Sequence, residues 1–484
     1  MKRKVLKFIA LCITLCISAS LIAGCGGSKE STDTIVWYMR KPVDNMSSYD
    51  LVLEEANKII EKEIGAKLEL RFIESGMYEQ KLNVMVSSGE KFDMCQLPGG
   101  TTLVNYVKDG AFVPVDELLE KYGQDILAQQ ESSVKGKGKY NGQTYGVEGH
   151  SARSVSRSFV FKKDLVEKYG FDYLSVKSLA DLEPYLKTIK ENEPGIIPMH
   201  QGVTDVVNEN WTDSAVKGIV FDEVKQEFVM KYDHEGVIAE ARIKNDFYKK
   251  GYIASDAISR TDEMSEKKSG QYAVLGNNGY YSEDGSKSSS VYGYPCVETY
   301  AGNTRINSGI SGGVGISATS DKPEKCMQLL NLIWKDDYLL NTLAYGVEGV
   351  NYTVNEERTA EIGSKSINVK SGAEQTWAIW HNWLGPLFNQ WDSEWNTVEV
   401  LENIKYNNEN AKVSGASGFV FEDDAMKAEI AKVTATYETV RQVYDFGCMD
   451  DFDKYLAETR DQMKKSGVYT IIDEMNKQYK AWKK

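Results

Sequence analysis

Short apolar runs and helical spacings alternate through the first hundred positions of the chain. Ile35-Val36-Trp37-Tyr38-Met39 is a continuous apolar run of strand length. Leu51, Ala56, Ile59, Ile60 and Ile64 then recur near helical spacing, and Gly65 supplies a stop. Leu68 to Ile73 alternates as a second strand, residues 77–88 predict another helix, and Phe92 to Leu97 a third strand running into Pro98-Gly99-Gly100. Strand and helix in this order predict a layered α/β domain with a largely parallel sheet. Ligands on such sheets sit at the carboxyl ends of strands. That directs attention to residues 38–46 and 98–102.

Further along, Lys139 to Val147 predicts a hairpin with Asn141-Gly142 at its tip. Ser158 to Phe161 reads as a strand, followed by a helix ending at Gly170. Helices are predicted over 178–192 and 234–250, a polar surface loop over 282–290, and a strand over 312–317 feeding a helix from Pro323 to about Tyr345. The last sixty residues are mostly helical in pattern. There is no internal repeat and no coiled-coil heptad.

The N-terminus follows a different rule. Lys2, Arg3, Lys4 and Lys7 precede an almost wholly apolar stretch, residues 8–23. This is the layout of a secretory signal, and the stretch is short for a bilayer span, which needs roughly 20 residues. Ile22-Ala23-Gly24-Cys25 closes it with small residues before a cysteine, as a lipoprotein signal peptidase requires. The expectation is a signal peptide over 1–24, lipid on Cys25 and a polar tether over 25–33. Two acyl chains such as palmitate on one cysteine suffice for stable anchoring. The mature chain then sits on the extracytoplasmic face of a membrane, as on a Gram-positive cell surface.

Composition narrows the partners. The signal carries four of the 57 Lys and Arg and none of the 71 Asp and Glu, which leaves 53 against 71, a net of −18. An acidic surface disfavours nucleic acid. Beyond the signal, Cys95, Cys296, Cys326 and Cys448 are few and far apart, so no disulfide framework or CxxC metal pattern is present. His150, His200, His234 and His381 are isolated from one another, and neither HExxH, GxSxG nor a Walker loop occurs. The sequence marks out no catalytic residues, no metal site and no cofactor.

Several blocks carry a resemblance. Phe92-Asp93, Gly110 to Val115 and the Tyr145-Gly146-Val147 hairpin follow one another in a familiar order. Lys249 to Ile253, Lys268 to Ala273, Gly315 to Lys325, Tyr345 to Gly349 and Gly418 to Phe421 are more specific. With these blocks the chain resembles the family 1 extracellular solute-binding lipoproteins of ABC importers, in a branch with a C-terminal domain of unknown function. The resemblance implies two α/β lobes of the type II periplasmic-binding-protein-like fold, with a helical C-terminal region and a ligand cleft between the lobes. It implies residues 34–155 plus 308–355 in lobe one and 156–307 plus 356–484 in lobe two. It further implies a monomer, not an enzyme, that captures a carbohydrate, such as an oligosaccharide, for permease subunits. A peptide or other polar solute is the alternative ligand, and a lipid-anchored glycosidase the alternative activity.

A sugar needs flat aromatics for its C–H faces and planar polar groups for its hydroxyls. Trp377, Trp380 and Trp383 are three apart and would share one face of a helix; core packing is the bland reading of each. The segment lies where members of the resembling family place a cleft aromatic. Asn277 and Tyr280 pair amide and aromatic after a predicted strand, and Trp211 stands in a polar loop. Tyr38, Arg40, Gly100 and Thr101 are chosen by strand-end position, and Glu148 by its place just past the hairpin. Arg153 and Arg157 suit surface ion pairs equally well.

Overall fold

A computed structural model of the chain describes residues 33–98, 100–130, 139, 140, 142–154, 156–204, 210–260, 262–276, 281, 282, 284–306, 313–357, 362–394 and 396–483. The signal, Cys25 and most of the tether lie outside the described residues. The strands are β1 (Asp33–Arg40), β2 (Ala66–Ile73), β3 (Met94–Gln96), β4 (Ser156–Lys162), β5 (Ile197–Met199), β6 (Trp211–Asp213), β7 (Ile219–Asp222), β8 (Glu227–Met230), β9 (Tyr272–Gly276), β10 (Cys296–Asn303), β11 (Val314–Ile316), β12 (Tyr352–Glu357), β13 (Lys365–Val369) and β14 (Asp392–Ser393).

The first lobe is built on a sheet of order β11-β3-β1-β2. β1 runs parallel to β2 and β3, and β11 runs antiparallel to β3. The continuous apolar run in β1 follows from burial on both faces, as in parallel sheets covered by helices. Ile35, Trp37 and Met39 enter one core with the helices Tyr49–Ile64 and Pro323–Lys335. Val36 and Tyr38 point the other way, toward Tyr78, Phe92 and Tyr106. Gly65 ends the first of those helices in the left-handed conformation, φ 64°, which a glycine adopts without steric cost.

The second lobe has a sheet of order β10-β4-β9-β5 and, beside it, the antiparallel meander β6-β7-β8. The helices Lys427–Phe446, Phe452–Ser466 and Val468–Trp482 cover that meander through one core containing Phe221, Phe228, Tyr437, Val468 and Ile472. The C-terminal region is thus helical, as its pattern predicts. Residues 286–290, expected within the polar loop over 282–290, instead belong to the helix Ser286–Tyr292. Its Ser288 and Tyr292 are buried, and Tyr292 packs beside Cys296. Cys95, Cys296, Cys326 and Cys448 are buried and unbridged.

One expected boundary is corrected. The resemblance implies residues 356–484 in the second lobe, yet Ile367, Val369, Trp377, Ile379, Leu384 and Trp391 share the core of Trp37 and Trp334 in the first. So dense an apolar stretch has to bury against a large core, and it does so on the lobe from which it has just emerged. The last crossing is made by the helix Val398–Asn410 and the residues after it, not near 355.

The crossings are stitched together by backbone. Val147 and Val314 exchange two N–H···O bonds, of 2.8 and 2.9 Å. Asn408 accepts from the Arg153 and Ser154 N–H groups at 2.9 and 3.1 Å and donates to the Ser151 carbonyl at 2.7 Å. Ile306 donates to the Lys412 carbonyl and accepts from the Ser414 N–H. Gly313 sits in this seam at φ 57°, and a Cβ there would meet the Val147 carbonyl.

Two consequences are measurable. Gly313→Ala combines left-handed strain with a backbone clash, and is expected to lower stability by about 3 kcal/mol, read from a denaturant titration. His150, packed against Trp334 and Phe388, and His381, against Tyr345, are buried. Burial holds them down to about 4 and about 3. The folded rings stay neutral while the unfolded chain takes up protons below about 6.5, so stability is full above that pH and falls as pH drops toward the folded values. Between pH 7.5 and 5.5 each ring is expected to remove on the order of 1 kcal/mol, and His381→Leu should shrink the slope of Tm with pH.

Candidate functional site

Strand direction decides which residues can meet a ligand. β1, β2 and β3 are parallel and end at Arg40, Ile73 and Gln96; β11 begins at that same edge, with Val314 opposite Gln96. The chain therefore leaves the first lobe where its parallel strands end. In the second lobe β4 starts at the crossing. β9 runs antiparallel to it, with Gly276 opposite Phe159, and β5 runs parallel to β9. The ends of β5 and β9 thus adjoin the crossing as well. Both carboxyl-end edges border the cleft between the lobes, the position expected for a ligand.

On the first lobe the segment 376–385 runs along this edge. Ser48, in the loop after β1, donates its N–H to the Thr376 carbonyl at 3.2 Å, and His150 donates to the Gly385 carbonyl at 2.7 Å. The two tie points place the tryptophans between the end of β1 and the crossing. The three do not share a helical face, because only His381–Leu384 is helical. Trp377 is 1% exposed, donates its indole N–H to the Leu343 carbonyl at 2.8 Å and packs against Tyr49 and Phe72. It is a core residue, a correction to its expected role. Trp383 is half-buried against the same core. Trp380 is 44% exposed, a large apolar surface for one side chain.

The remaining candidates divide in the same way. Tyr38 is 7% exposed; the Arg71 guanidinium donates to its hydroxyl at 3.0 Å, and that hydroxyl donates to Glu90 at 3.3 Å. Its partners lie within the first lobe, so it too is structural. Arg40 does stand at the strand end, with its guanidinium 4.3 Å over the Tyr78 ring and 3.5 Å from Glu79. Gly100 and Thr101 open the helix Gly100–Lys108 at the same edge. Glu148 is held in a largely buried ion pair by Arg153, which also donates to the Gly149 carbonyl at 2.9 Å. Its carboxylate is therefore engaged within the crossing and braces it. Asn277 and Tyr280 lie outside the described residues; Tyr281, next to them, packs against the half-exposed ring of Tyr300 at 5.4 Å.

Trp211 lies elsewhere in the second lobe, on a cavity of about 330 Å³ at the joint between the main sheet and the C-terminal helices. Arg157 at the start of β4 and Gly202 and Thr204 after β5 form its cleft-side wall. Lys231 lies 5.9 Å over the Trp211 ring and 3.5 Å from Asp445. Sequence reasoning reached Trp211 and noted Arg157, but missed Lys231, Lys244 and Asp445. Lys231 and Lys244 come from consecutive elements and Asp445 from a distant helix, and no local pattern announces that they converge.

The geometry agrees with the relatives of this chain. A model of the bacterial extracellular solute-binding proteins matches residues 42–339, and a domain of unknown function (DUF3502) matches residues 415–484. A protein of Streptococcus pneumoniae serotype 4 named as a carbohydrate ABC transporter substrate-binding protein is 29% identical over 97% of this chain and 96% of its own length. The crystal structure of the N-glycan transport solute binding protein NgtS from Streptococcus pneumoniae superposes with a TM-score of 0.75 at 28% identity, covering 93% of this chain and 98% of that one. In its complexes with Man1GlcNAc and Man5GlcNAc the score is 0.63 and 0.59. An extracellular solute-binding protein of Bifidobacterium longum subsp. infantis shares the fold at 13% identity, with a TM-score of 0.65 and coverage of 95% of this chain and all of that one. This chain belongs to the bacterial extracellular solute-binding proteins.

Proposed function

We propose that the chain is the substrate-binding component of an ABC importer, held outside the membrane by lipid on Cys25, and that it captures a glycan between its lobes for permease subunits. The observation that carries this reading is the pairing of two cleft-facing edges, one bearing the exposed Trp380 and Arg40, the other opening into the Trp211 cavity. An exposed indole with polar groups around it suits a sugar, whose ring face is apolar and whose rim is polar. The names of the relatives favour the same class, one a carbohydrate and one an N-glycan binder.

Mechanism follows from the crossings. A ligand touching both edges stabilises the arrangement in which they approach, and does so only by its differential affinity for that arrangement. The lower superposition on the two glycan complexes of one relative than on its structure named without a glycan supports lobe movement of this kind. The role is capture, without catalysis, by a single chain.

Thermal shift of the mature protein against a panel of glycans and peptides tests the ligand class. A rise in Tm that grows with glycan concentration is expected; shifts with peptides alone, or release of reducing ends from the glycans, would refute the reading. Trp380→Ala is expected to weaken glycan binding about tenfold and leave Tm nearly unchanged, whereas Trp377→Ala should cost about 3–5 kcal/mol of stability. Metabolic labelling with palmitate is expected to mark the parent chain and not Cys25→Ala, and equal labelling of the two would refute the anchor at Cys25.

A further inference from the structure

The cavity beside Trp211 holds charges that the capture of a neutral sugar does not call for. Three cations, Arg157, Lys231 and Lys244, and three carboxylates, Asp213, Glu240 and Asp445, line it. Their commitments differ. Lys231 and Asp445 pair at 3.5 Å, and Asp213 and Glu240 each engage a partner. Among the described residues, the Arg157 guanidinium has no hydrogen bond and no carboxylate within 4 Å. Burial alone lowers its affinity for its proton, and no neighbouring charge offsets the loss. Lys244, 2% exposed, likewise has no ion pair within 4 Å among the described residues, and burial is the first cause of its lowered pKa. The Trp211 indole N–H is buried and meets no acceptor among the described residues.

A half-buried guanidinium without a counter-charge is poorly solvated, which costs stability unless something else compensates. Here the groups left unmatched are donors, and they surround an open volume of about 330 Å³ at the small end of ordinary ligand pockets. A group that satisfies them is an anion with in-plane acceptors, and a planar carboxylate matches the guanidinium fork in two parallel bonds. A dianionic phosphate matches less well, since each lining carboxylate repels twice the charge. Those same carboxylates accept hydrogen bonds from hydroxyl groups, which a sugar ring supplies in plenty.

We propose that this cavity takes the carboxylate-bearing ring of an acidic sugar, with Arg157 pairing the carboxylate and Trp211 standing against the ring. The inference rests on the glycan-binding reading above and narrows it to glycans carrying a uronic or sialic acid. Arg157 stands at the first turn out of the crossing, on the cleft-side wall of the cavity, so the acid would bind next to the moving joint.

Calorimetric titration of the mature protein with two matched pairs tests it: 3′-sialyllactose against lactose, and cellobiouronic acid against cellobiose. At least one acid is expected to bind tenfold or more tighter than its neutral partner, about what a charge-assisted hydrogen bond contributes, and which pair responds tells sialic from uronic acid. Arg157→Gln should bring the acid-to-neutral affinity ratio close to one, and Arg157→Lys should leave part of it. Tm of ligand-free Arg157→Gln should equal or exceed that of the parent, because a half-buried charge with no counter-charge is removed. Equal affinities within both pairs, or a preference that survives Arg157→Gln, overturns the proposal and leaves glycan capture standing. No binding by any glycan, acid or neutral, removes both.

Discussion

The side chain of Asn408 organises the centre of this molecule. One amide satisfies three backbone groups of residues 151–154, and the chain just after it is bonded to Ile306. Extended segments crossing between lobes carry backbone groups that need partners, and a regular sheet cannot continue through them. A side-chain amide can match both N–H and C=O without imposing the register of a strand. The lobes can therefore stay joined by satisfied backbone while the angle between them stays adjustable. Glu148 and Arg153 brace the same place with a largely buried pair, whose disruption from one side would strand a charge.

Much of the fold could be read from periodicity because both sheets obey it. The run Ile35 to Met39 is continuous because helices cover both faces of β1, and Gly65 and Gly170 do end helices, both in the left-handed region. Candidate cleft-edge positions were legible only where topology alone decides. Arg40 and the start of the Gly100–Lys108 helix lie at the carboxyl edge because strand order puts them there. Three-residue spacing failed for the tryptophans because it assumed a helix across 377–383. An irregular segment tied down at Thr376 and Gly385 turns Trp377 inward and leaves Trp380 out.

The boundary between lobes was harder still. Residues 362–394 are separated from lobe one's sheet by no composition shift, and only the shared core with Trp37 shows where they belong. Likewise the Trp211 cavity is assembled from β4, β6, the helix Glu235–Lys249 and the end of the helix Lys427–Phe446. Each contributes a charged residue that is unremarkable in its own segment. Convergence of this sort is a property of packing.

The interleaving of the chain has a consequence for how it reaches its folded state. Lobe one draws on residues up to Trp391, and the core of lobe two is finished only by the helix Val468–Trp482. Neither lobe can close as the chain emerges N-terminus first, and contacts such as those of Tyr49 and Phe72 with Trp377 span most of the sequence. Such long-range contacts make folding slow, because loop closure must precede them. For a protein that works outside the cytoplasm this delay suits export, because the information needed to become compact arrives last.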